Sequence, residues 1–149
     1  MTREEMAVES FANGYNCAQS VFSSFSEDFG LDMTTALKIA NGFGGGVRCG
    51  EVCGAVSGAI MAIGLKCGFY VEKDFEQKAY CNSKAFEFVE KFREINGSML
   101  CRDILRIDIR SPDDFLTSEA QKVFTATCPN IISSAVRILE SMDFHRSVE

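Results

Sequence analysis

Apolar residues recur along the chain mostly at intervals of three and four, and no segment alternates at period two, which predicts an all-helical fold of about five or six helices. The first is expected over residues 2–11. A second begins after Asn13-Gly14-Tyr15-Asn16, where Asn16 can cap a helix carrying Cys17, Val21, Phe22 and Phe25, and Gly30 ends it. A third, over 34–42, runs into the glycines of Gly42-Phe43-Gly44-Gly45-Gly46. The fourth, over 51–66, is rich in small residues, Gly54, Ala55, Gly58, Ala59 and Ala62, at the spacing that lets another helix backbone approach closely. The fifth, over 72–95, carries Phe75, Ala79, Phe86 and Val89 on one stripe and Cys81, Ala85, Phe88 and Phe92 on the next, so broad burial is expected. Asn96-Gly97-Ser98 closes it, and Ser98 can cap a short helix with Cys101 and Leu105. After a loop over 108–112 comes a charged stretch, 112–126, that can be helical. Cys128-Pro129 then opens the last helix, 129–142, with proline at its favoured first position.

With 149 residues and 46% hydrophobic content, the chain has enough apolar surface for one core without disulfide staples. No repeat, low-complexity tract or linker divides it, so residues 1–149 read as a single domain, a compact helical bundle. The net charge of −6 and the scatter of Lys and Arg argue against nucleic acid as a partner. The acidic start, Met1-Thr2-Arg3-Glu4-Glu5-Met6, lacks the features of a secretory signal, and the longest apolar run, 55–65, falls short of the roughly 20 residues a bilayer requires. A cytoplasmic location without membrane insertion is the expectation. In that compartment seven cysteines read as metal-binding or redox thiols rather than structural bridges.

Four of them, Cys17, Cys53, Cys101 and Cys128, fall where helices are expected to begin. A helix start presents unpaired N–H groups and about half a positive charge, which favours a thiolate able to act as nucleophile, redox centre or ligand. For Cys53 the helix start and Arg48 act to lower the thiol pKa, and Glu51 opposes them. Cys81, on an apolar stripe, and Cys67, near a helix C-terminus, read as packing residues, and Cys49 is left unassigned. The glycine run fits neither nucleotide-loop pattern and follows no strand. Its expected role is to bring bare backbone close to the sulfurs, or to form a tight helix corner. The sole histidine, His145, lies near the C-terminus, which disfavours a histidine-dependent hydrolase.

The elements Asn16-Cys17-Ala18-Gln19, Gly42-Phe43-Gly44-Gly45-Gly46 and Gly50-Glu51-Val52-Cys53-Gly54-Ala55-Val56-Ser57-Gly58, followed by Cys101 and Cys128 in order, form a pattern over about residues 14–139. The chain thereby resembles the redox-active protein family named for its Cys, Gly-Cys-Ala-x-x-Gly, Cys, Cys pattern. The resemblance implies redox activity and maps the family's four cysteines onto Cys17, Cys53, Cys101 and Cys128, with Cys49, Cys67 and Cys81 additional. A related domain occurs in a multihaem cytochrome that carries an iron–sulfur centre. The haem part does not transfer, because the chain has no Cys-x-x-Cys-His.

Three readings follow. In the first, Cys17, Cys53, Cys101 and Cys128 bind an iron–sulfur cluster, or less readily zinc, and the protein transfers electrons with a redox partner protein or small molecule. In the second, the site is metal-free, with Cys53 the catalytic thiol in disulfide exchange, assisted by Cys49 one turn earlier. In the third, the thiols are small buried hydrophobes of a structural or interaction domain.

Overall fold

The computed structural model describes residues 1–144, and His145 lies outside them. Among the described residues there are seven α-helices and no strand beyond one isolated bridge: α1 (Arg3–Ala12), α2 (Cys17–Ser26), α3 (Met33–Ala40), α4 (Gly54–Cys67), α5 (Phe75–Asn96), α6 (Cys101–Leu105) and α7 (Ser118–Ser141). The all-helical expectation holds, and the expected five or six helices become seven. None is long and apolar enough to cross a membrane.

The centre is the crossing of α2 and α4. Of the ten residues of α2 only Ser24 escapes burial. The two backbones meet at glycine: a Cβ on Gly58 would stand 2.6 Å from the Ala18 carbonyl oxygen, and one on Gly54 would stand 3.0 Å from the Ala18 nitrogen. The small-residue stripe thus has its packing reason. Around this crossing, α7 buries Ile131, Ile132, Ala135, Val136, Ile138 and Leu139, while α1 contributes Ala7 and α5 contributes Phe88 and Phe92. Each large apolar side chain so buried stabilises the fold by about 1.5–3 kcal/mol relative to exposure.

Two expectations are corrected. The helix α5 is not broadly buried, since only Phe88 and Phe92 are buried, while Phe75 and Phe86 are 68% and 63% exposed. It packs on α4 and α7 along one side, so the stripe a fraction of a turn away faces solvent. The last helix does not begin at Pro129 either. Residues 112–116 form a short 3-10 turn, and one helix then runs unbroken from Ser118 to Ser141 with Pro129 inside it. Pro129 has no N–H for the Thr125 carbonyl, but Thr125 is exposed and water can satisfy that oxygen.

Candidate functional site

Cys17, Cys53, Cys101 and Cys128 are all buried and line one cavity of about 100 Å³. Each arrives by a different local device. Asn16 caps α2 through a reciprocal box, its Oδ1 accepting the Gln19 N–H at 2.9 Å while Gln19 Oε1 accepts the Asn16 N–H at 3.0 Å. Asn16 Nδ2 also donates to the Asn41 carbonyl at 2.9 Å, which holds the start of α2, and Cys17 at its first position, against the end of α3. Cys53 is the residue that caps α4, and Cys101 is the first residue of α6. A two-bond backbone ladder joins these segments: the Cys53 N–H donates to the Met99 carbonyl at 2.8 Å and the Cys101 N–H to the Glu51 carbonyl at 2.6 Å. Cys128 reaches the cavity from mid-helix, on the same face of α7 as Phe124 and Ile131, which also line it. Three cysteines therefore stand at helix starts as expected, and the fourth does not.

The glycine run wraps the site through a left-handed turn. Gly45, Gly46, Val47 and Arg48 have φ of 64, 63, 58 and 62° in succession, closed by the Glu51 N–H donating to the Gly46 carbonyl at 2.9 Å. For Val and Arg this conformation is strained, by about 1–3 kcal/mol each. A Cβ on Gly46 would lie 2.8 Å from the Cys101 Cβ, and one on Gly54 would lie 3.2 Å from the Cys17 Cβ. Bare backbone does run against two of the cysteines, as the sequence suggested.

The turn also delivers Arg48, the one cationic side chain in the cavity wall among the described residues, with its guanidinium 4.4 Å from the centroid of the Phe115 ring. Apolar Phe11, Ile104, Leu105, Phe115, Phe124 and Ile131 supply most of the remaining wall. Sequence reasoning assigned Arg48 to Cys53 and passed over Phe115. The stacked pair is absent from any local pattern because the two residues come from separate loops.

The electrostatics reverse the expectation for Cys53. Burial pushes its thiol up from the ordinary 9.0 to about 11, against the lowering effect of the Ala55 and Val56 N–H groups. Burial, with neighbouring Cys53 and Cys128, pushes Cys101 to about 12 although Arg48 and Arg102 oppose it. Cys17 is raised by hydrogen bonding with Cys128, by burial and by the other three sulfurs. That same hydrogen bond lowers Cys128, so the most acidic of the four lies on α7 rather than at the head of α4. The low-dielectric surroundings outweigh the helix-end contribution at Cys53.

Cys49 does not line the cavity. It sits before α4 in the strained turn, with its thiol 3.5 Å from the Gly46 carbonyl, and so is not one helical turn ahead of Cys53. Cys67 and Cys81 lie apart from the cavity, at the end of α4 and in the second turn of α5. Among the described residues, no group of three or more His, Cys, Asp and Glu side chains is drawn closely enough to hold a metal ion.

No curated protein and no solved structure matches the chain. A family model described as "Putative redox-active protein (C_GCAxxG_C_C)" matches residues 15–142, a span that takes in all four cavity cysteines, and the chain belongs to that family.

Proposed function

We propose that the protein is an electron-transfer protein whose centre is an iron–sulfur cluster held by Cys17, Cys53, Cys101 and Cys128. The observation that carries this reading is the gathering of four buried thiols, from four separate segments, around one cavity. Four soft thiolates are the usual ligand set of such a cluster. The same four thiolates would also suit zinc, which the metal assay below separates from iron and sulfide. When bound, the cluster would supply one-electron transfer. The chain's part is electrostatic and steric. The aromatic and aliphatic wall excludes water, while Arg48 and the N–H groups at the starts of α2 and α4 offset the negative charge that four thiolates bring.

A second reading has its own observation. Cys17 and Cys128 line the same cavity and shift each other's acidity in opposite directions, which supports a metal-free dithiol centre built from that pair. In it the exchanging pair is Cys17 with Cys128, not Cys53 with Cys49.

Anaerobic purification followed by absorption spectroscopy and assay of iron, zinc and acid-labile sulfide decides between them. The expected result is stoichiometric iron and sulfide in the wild type, lost in a variant with all four cysteines changed to serine. Wild-type protein that carries neither, and takes up neither on reconstitution, sinks the cluster reading. An oxidised form with a mapped Cys17–Cys128 disulfide would then support the second.

A further inference from the structure

The Cys67 and Cys81 sulfurs lie 3.1 Å apart, the Cys67 thiol donating toward Cys81. Neither lines the four-cysteine cavity, and neither belongs to the four-cysteine pattern. The pair joins the last residue of α4 to the second turn of α5 across a sequence separation of 14, so the contact is made by the tertiary fold. A disulfide bond is about 2.05 Å long, so roughly 1 Å of further approach separates the two thiols from a bond.

The two sulfurs are not equivalent. Cys67 is 8% exposed, and its thiol is also 3.2 Å from the Ile63 carbonyl; Cys81 is half-buried. Burial and the contact with Cys81 push the Cys67 thiol up to about 12, although Lys84 and Lys66 oppose them, so Cys67 holds its proton while Cys81 is the sulfur that meets a reagent first. Gln77 Nε2 donates to the Cys67 carbonyl at 2.6 Å, which pins the end of α4 to the first turn of α5 and holds the sulfurs in register.

We infer that Cys67 and Cys81 form a second redox site, a dithiol–disulfide couple that exchanges two electrons with low-molecular-weight disulfides and is independent of the four-cysteine cavity. Cys81, as thiolate, attacks one sulfur of the small disulfide; its S–S bond breaks, one small thiolate leaves and takes up the proton Cys81 gave to solvent, and a mixed disulfide remains on Cys81. The Cys67 thiol then loses its proton and attacks the Cys81 sulfur, expelling the second small thiol. The protein pair is oxidised by two electrons, the small disulfide is reduced to two thiols, and no other reactant is needed. The deeper burial of Cys67 makes it the resolving sulfur, and the shallower placement of Cys81 makes it the attacking one.

The test is equilibration of the full-length protein, reduced and under anaerobic conditions, with reduced and oxidised glutathione over a range of ratios. Acid quenching, alkylation and peptide mapping by mass spectrometry follow. The expected product is a bridged peptide pair linking Cys67 to Cys81, two hydrogens lighter, which appears in a single two-electron transition while the helical circular dichroism is unchanged. In the Cys67→Ser protein, glutathione should stay on Cys81; in the Cys81→Ser protein, labelling of Cys67 should be at least about tenfold slower, from its burial. Both residues remaining alkylatable at every ratio, glutathione retained on wild-type Cys81 without a bridge, or a bridge formed only with loss of helical signal would each overturn the inference. Mapping on the wild type decides the matter even if a serine variant fails to fold.

Discussion

Glycine does different work at different positions of this chain. Gly46 has φ of 63°, and a Cβ there would stand 2.5 Å from the Glu51 nitrogen and 2.8 Å from the Cys101 Cβ. Gly64, inside α4, has ordinary helical backbone and open space where a Cβ would go. Gly46→Ala should therefore destabilise the protein by about 2 kcal/mol or more, through strain and displacement of Cys101. Gly64→Ala should stabilise it by about 0.5–1 kcal/mol through helix propensity and a less flexible unfolded chain. Urea unfolding of the two variants checks both signs, and a neutral Gly46→Ala would mean that the turn relaxes freely. The glycines were legible in the sequence as a loop bringing backbone near sulfur. The extension of the left-handed turn through Val47 and Arg48 was not, because no propensity favours a β-branched residue there and only the surrounding contacts hold it.

Helices behaved differently according to how much of their signal was local. Asn16 announced α2, and the structure contains the expected cap, which Gln19 completes into a reciprocal box that the sequence reading did not name. The start of α7 was misplaced because Pro129 is equally at home at a first helical turn and, when packing on both sides of it is strong, inside a helix. Burial of Ile131, Ile132, Ala135, Ile138 and Leu139 beyond the proline, and of Ala120 before it, holds the helix together across the missing bond. Pro129→Ala should restore an N–H to the Thr125 carbonyl and stabilise the protein by about 1 kcal/mol. That is less than the ~3 kcal/mol of a fully helix-breaking proline, because the unfolded chain regains freedom. Thermal or urea unfolding reads the change, and a loss of stability would show that the proline ring packs where alanine cannot reach. For α5 the stripe pattern identified Phe88 and Phe92 correctly but could not say which of two adjoining stripes the neighbouring helices would cover.

Long-range polar contacts close the bundle near its ends. Arg3 pairs with Asp28 and Glu140 and lies over the Phe25 ring, and Arg137 pairs with Glu4. The Arg137 guanidinium lowers the Glu4 pKa, Lys91 and Lys84 lower Glu87, the Thr35 backbone N–H lowers Asp32, and the Arg110 and Ser111 N–H groups lower Asp114. A carboxyl whose folded pKa is depressed adds stability above its unfolded value and loses it as pH falls through the folded one. Stability should thus begin to decline below pH 4.5 for the glutamates and fall further below 3.8 for the aspartates, and high salt should flatten the Glu4 and Glu87 contributions. Denaturation midpoints across pH 2 to 7 at two salt concentrations measure this, and a flat acid limb would contradict it. From its own order of residues the chain determined that it is helical, where most helices begin, which four cysteines share the family pattern, and that α4 must be crossed closely, because spacing, caps and side-chain size act over a few residues. Tertiary structure alone decided that those four thiols surround one cavity, that Arg48 stacks on Phe115 beside them, that burial outweighs the helix end at Cys53, and that Cys67 meets Cys81. Each of these depends on groups far apart in sequence and on the low-dielectric interior that exists only once the helices have packed.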